Sequence, residues 1–150
     1  MKYFSRDWWA AGGEDHDPAS AYTAYIASIK DKLTSGFARL AEGHLLHDAS
    51  LSRMVSTPDE KQLTMSFIGW DKAFENRRHI ELCFNDVRSL NIDFPFEQNS
   101  GESGMGDLGY YEIELLKAGF VEVRMLFSSS TEIQIVCRSV TAKSRKPKPT

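Results

Sequence analysis

The chain has 150 residues, 41% of them hydrophobic and 26% charged, with a formal net charge of −3. That length suits a single domain, which buries roughly 68–70% of the unfolded chain's surface and needs no staples. No apolar run approaches the ~18 residues of a membrane span. The opening Met1-Lys2-Tyr3-Phe4-Ser5-Arg6-Asp7 also lacks the apolar stretch of a signal peptide, so a cytoplasmic protein without membrane contact is expected.

The charge is unevenly spread. Residues 143–150 carry four basic groups and no acid, leaving 14 basic against 21 acidic residues in the rest. An acidic body with a basic, proline-containing tail is not the profile of a nucleic-acid binder. The expected organisation is one domain over 1–142 and a disordered tail over 143–150. Cys83 and Cys137 each sit in a hydrophobic, strand-like run and read as small buried hydrophobes.

Ser5 can cap a short first helix holding Trp8 and Trp9, ended by Gly12-Gly13. Asp17 before Pro18 is a strong helix start, with an N-cap followed by a residue that has no N–H to satisfy. Tyr22, Tyr25, Ile26, Ile29, Leu33, Phe37 and Leu40 then recur at three- and four-residue spacing. They predict one amphipathic helix from Pro18 to Glu42, stopped by Gly43.

After Gly43 the period changes to two. Alternating runs are centred on 51–55, 63–67, 80–84, 87–94, 111–115, 121–127 and 133–137. Turns at Thr57-Pro58-Asp59-Glu60, around 71–76 and at Lys117-Ala118-Gly119 separate several of them. About seven strands joined by short turns predict an antiparallel meander with one wet face. The fold class is α+β, with the amphipathic helix and the short first helix packed on that sheet.

Chemistry has few places to reside. On a helix His44, His47 and Asp48 would share a face and suit a divalent metal. In a strand the two histidines point to opposite faces, and the plainer role is to satisfy backbone groups where the sheet starts. The segment from Ser89 to Leu116 holds Asp93, Glu97, Glu102, Asp107, Glu112 and Glu114 and no Lys or Arg. Its glycine-rich middle is acidic and leads into a strand, so it is no phosphate cradle. It reads as a solvated loop or as a docking surface for a basic partner. Glu112 and Glu114 by themselves read as a solvated strand face. Trp8, Trp9 and Trp70 read as core aromatics.

Met1-Lys2-Tyr3-Phe4 with Trp8-Trp9, then Leu46-His47-Asp48-Ala49 leading into a sheet, and Tyr110-Tyr111-Glu112-Ile113-Glu114 before a hairpin, together resemble an uncharacterised bacterial family of unknown function. The likeness spans most of residues 1 to 140 and implies no catalytic residues. The Leu-His-Asp start of an antiparallel sheet also resembles immunity proteins of toxin systems, which implies a protein partner.

The expected function is therefore a non-enzymatic binding or protein-interaction domain without cofactor, using Asp93, Glu97, Glu102, Asp107, Glu112 and Glu114 toward a basic protein. A free sheet edge offers a route to a homodimer. The rival readings are a small metal-assisted hydrolase using His44, His47 and Asp48, and a curved sheet holding a small apolar ligand among Phe67, Phe84 and Val123.

Overall fold

The computed structural model describes residues 1–13, 16–43, 45–95 and 104–148. Ser5 caps α1 (Arg6–Ala10) by accepting from the Trp8 amide at 3.1 Å. Asp17 caps α2 (Pro18–Ile29), its carboxylate accepting from the Ala19 and Ser20 amides. Both starts were legible because capping is a local interaction.

The long helix, however, is broken. After Ile29 the chain tightens into a 3-10 turn over Lys30–Lys32, runs extended through Leu33 and Thr34, and restarts as α3 (Ser35–Ala41). The break turns α3 so that it lies on the last strand of the chain. There Gly36 approaches the backbone so closely that a Cβ would stand 1.7 Å from the Val140 carbonyl oxygen. Phe37 and Leu40 of α3 are fully buried, while α2 lies against β5.

Among the described residues, eight strands form two antiparallel sheets rather than a single one. One sheet has the order β1 (Ser50–Thr57), β2 (Gln62–Trp70), β3 (Arg77–Asn85), β8 (Ser139–Arg145). The other runs β4 (Ser89–Asp93), β7 (Glu132–Cys137), β6 (Val121–Phe127), β5 (Leu108–Leu115). The α+β class and the antiparallel pairing stand, and what changes is the cover.

Leu63, Met65 and Phe67 of β2 and Ile80, Leu82 and Phe84 of β3 share one buried cluster with the inward residues of β6 and β7. Each sheet thus covers the other, and α3 closes the cluster with Phe37 and Leu40. Alternation in sequence shows that a face is buried but not what buries it. Phe67, Phe84 and Val123 lie within this packed cluster.

The eighth strand runs from the expected domain into the first three residues of the expected tail, 143–150. Lys143, Ser144 and Arg145 pair with Glu81, Ile80 and His79 of β3, so the sheet extends three residues past the anticipated boundary at 142. The physical reason is register: Val140 and Ala142 face the core, and the polar residues between them face outward. The three tryptophans also depart from expectation, since each is only half-buried. No helix among the described residues is long and apolar enough to cross a membrane.

Candidate functional site

The acidic residues singled out in the sequence do not form one open surface. Glu112 is 1% exposed, and its carboxylate accepts from the backbone amides of Lys2 at 2.9 Å, Tyr3 at 2.7 Å and Phe4 at 2.7 Å. It ties the first residues of the chain across the outer face of β5. Phe4 then stacks on Tyr110 with ring centroids 4.9 Å apart. Trp9 lies over Gly109, where a Cβ would stand 2.3 Å from its ring.

Arg124 of β6 faces three carboxylates: Glu112 at 3.3 Å, Glu122 at 2.6 Å, and Glu114. Its guanidinium, by hydrogen bonding, holds the Glu114 carboxyl below the usual carboxylate range. Lys2 adds an ammonium 3.6 Å from Glu114. Glu112 and Glu114 therefore stand together, as their spacing of two required, but around an arginine and the strap formed by residues 1–5.

Asp93 is 2.9 Å from Nη1 of Arg6, which also reaches the Asp93 carbonyl with Nη2. Asp107 accepts from Ser50 Oγ at 2.6 Å and donates its amide to Ser128 Oγ, joining the start of β1 to that of β5. Glu97 and Glu102 lie outside the described residues.

His44, proposed as a metal ligand, also lies outside them. His47 and Asp48 are neighbours, with Nε2 3.5 Å from Oδ2 and both side chains at least half exposed. Among the described residues no three His, Cys, Asp or Glu side chains gather as a metal site would require. His47 stands on the rim of a cleft of about 250 Å³ whose walls are Phe4, Tyr22, Tyr110 and Tyr111. Burial pushes the Cys137 thiol up to about 12, so it remains a neutral core thiol.

More distinctive is the treatment of the four sheet edges among the described residues. An edge strand carries unpaired backbone groups that invite another chain. On β5, the Tyr22 and Tyr25 hydroxyls of α2 accept from the amides of Ile113 and Leu115, each at 2.9 Å. On β8, Gly36 packs close and Arg39 Nη1 donates to the Ala142 carbonyl at 2.7 Å. β1 carries an irregularity between Leu51 and Arg53, an exposed arginine, and a bridge from Ser50 to Asp107.

On β4 (Ser89–Asp93) Arg6 Nη2 reaches the Asp93 carbonyl at one end, and among the described residues none of these devices covers residues 89–92. The strand pairs with β7 alone, all five of its residues are exposed, and it contains no Pro or Lys. Leu90 at 36% and Ile92 at 40% extend the core-facing side of Ile135 and Ile133 beyond the rim of the sandwich. Replacing Tyr22 or Tyr25 by Phe should cost about 1 kcal/mol each by orphaning a strand amide. Urea unfolding measures that loss, and unchanged midpoints in both variants would remove the capping role.

Fold and site together define an α+β domain of two facing antiparallel sheets, with a neutralised acidic face and one bare edge. The chain belongs to the family described as "Protein of unknown function (DUF4085)", which it matches over residues 4–137. No curated protein matches it. Among solved structures it is similar to an uncharacterized protein from Neisseria gonorrhoeae, at 15% identity and a TM-score of 0.47, over 66% of this chain and 93% of that one.

Proposed function

We propose that this chain is a non-enzymatic protein-interaction domain that accepts an extended segment of a partner as an additional strand beside β4. The observation that supports it is the contrast between edges: three are blocked by side chains, a helix or an irregularity, while among the described residues β4 offers free backbone over residues 89–92 and two exposed aliphatics. In strand addition the backbone supplies the hydrogen bonds, and alternate side chains supply the selectivity. Leu90 and Ile92 would cover apolar residues of the incoming strand. Glu97 and Glu102, which follow β4 in sequence, favour a partner segment bearing Lys or Arg, whereas Asp93 is already paired with Arg6. An immunity-type role is one use of such a surface.

The test compares capture from source lysate by the wild type and by Leu90→Lys/Ile92→Lys. Because both positions are exposed, the double variant should change stability by less than about 0.5 kcal/mol per site. The partner's affinity should fall by at least about tenfold, and the wild-type complex should protect the β4 amides from hydrogen exchange. A partner that binds the double variant equally well, or leaves those amides unprotected, rules out the edge.

A further inference from the structure

The second sheet shows the opposite electrostatic pattern. On its outer face, opposite the core residues, alternation places Arg53 on β1, Ser66, Ile68 and Trp70 on β2, Arg77, His79 and Glu81 on β3, and Lys143 and Arg145 on β8. No described residue on that face is fully buried. Four Lys or Arg side chains and a histidine share it with one acid, although the whole chain is acidic.

The register arranges them in rows. Arg53, Ser66, Glu81 and Lys143 cross the four strands in line, and Ile68, His79 and Arg145 form the row beside it. Ser66, His79, Glu81, Lys143 and Arg145 surround a depression of about 210 Å³. At the end of the β2–β3 pair the Arg77 guanidinium lies 4.5 Å from the centre of the Trp70 ring.

Arg53, His79, Glu81, Lys143 and Arg145 make no ion pair or side-chain hydrogen bond among the described residues. The acids of the other sheet, by contrast, are almost all engaged within the chain. Among the charged side chains of the described strands, those left without an ion pair therefore lie mostly on this one face, and most of them are positive. Averaging over the sequence hides it, because Lys143 and Arg145 look like tail until β8 brings them beside β3.

We propose that the outer face of the β1-β2-β3-β8 sheet binds single-stranded nucleic acid. Arg53, Lys143 and Arg145 take phosphates, the Ser66 hydroxyl and His79 line the central depression, and the Trp70–Arg77 pair offers a planar surface for a base. Three strand spacings of about 4.8 Å give a flat cationic platform about 14 Å across. A cationic track with an aromatic stacking surface is what a single strand requires. Reading a duplex calls for an element that enters a groove, and this face carries neither helix nor ribbon. An anionic membrane would favour a protruding apolar anchor, whereas Trp70 is half-buried.

The test is fluorescence anisotropy of the full chain with a short labelled oligo(dT) across salt concentrations. Three phosphate-binding cations at about −0.7 each predict a log–log salt slope near −2.1, so binding weakens about 20-fold between roughly 50 and 200 mM salt. Lys143→Glu/Arg145→Glu should reduce affinity at least tenfold and bring the slope to about −0.7 or shallower. Arg53→Glu, three strands away, should act in the same direction with β8 untouched, so the proposal does not hang on the folding of one variant. Absence of binding at about 50 mM salt, slopes unchanged in both variants, or tighter binding to duplex DNA or phosphatidylserine vesicles than to oligo(dT) would overturn it.

Discussion

Glu112→Ala is expected to release the first residues of the chain from the sheet and to lower the unfolding free energy by about 3–5 kcal/mol. The carboxylate is buried, accepts from three consecutive backbone amides, and faces Arg124. Hydrogen bonds to a charged group contribute about 1.5–3 kcal/mol each, but their full sum will not be lost. Once freed, the amides of Lys2, Tyr3 and Phe4 can return to water, and Arg124 keeps Glu114 and Glu122. What cannot be recovered by local release is the cover over Tyr110: the Phe4 stack and the edge contacts of Trp8 and Trp9 with that ring.

The loss should therefore have two parts, a lower urea midpoint and a loss of hydrogen-exchange protection confined first to residues 2–4. Glu112→Gln separates charge from shape. It keeps one accepting oxygen but turns an NH2 group toward amides that are themselves donors, so an intermediate loss is expected. If Glu112→Ala unfolds at the wild-type midpoint with residues 2–4 still protected, Glu112 is not what anchors the strap.

The same residue illustrates what the sequence allowed and what it hid. Ser5, Asp17 and Pro18 could be read because each helix start is decided within three or four residues. The strand runs around Met65, Leu82 and Val123 could be read because alternation reports burial directly. Glu112 and Glu114, by the same alternation, looked like a solvated face. Their partners are Arg124 on the neighbouring strand and the backbone of residues 2–4, and backbone amides leave no mark in a side-chain pattern.

Asp93 likewise looked unneutralised because Arg6 lies 87 residues away in the chain. The eighth strand, Ser139–Arg145, escaped notice because only Val140 and Ala142 carry its inward side. The open edge of β4 belongs to a further category. It becomes visible only when the other three edges are seen to be closed, which is a property of topology and not of any run of residues.

Gly36→Ala is the sharpest test of the broken helix, because two arguments about it give opposite signs. If residues 18–42 formed the continuous helix that their periodicity predicts, replacing an interior glycine by alanine would stabilise the protein by about 1 kcal/mol. In the folded chain the new Cβ would stand 1.7 Å from the Val140 carbonyl oxygen and 2.8 Å from its carbon. Neither side can yield cheaply. Phe37 and Leu40 fix α3 in the core, Arg39 bonds to the Ala142 carbonyl, and β8 is held in register by β3 from Ser139 to Arg145.

Relieving the overlap means moving the helix off the strand, an overpacking cost of about 3 kcal/mol that outweighs the gain in propensity. For a chain of this length each 1 kcal/mol shifts the thermal midpoint by about 2–4 °C. Gly36→Ala should thus melt about 4–8 °C below wild type after the propensity gain is subtracted. Val140 is also where β8 first enters the core, so the loosened segment should include Lys143 and Arg145. Oligo(dT) affinity should then fall in this variant even though neither cation has been altered. A midpoint at or above the wild-type value would mean that α3 does not rest on β8 as closely as described.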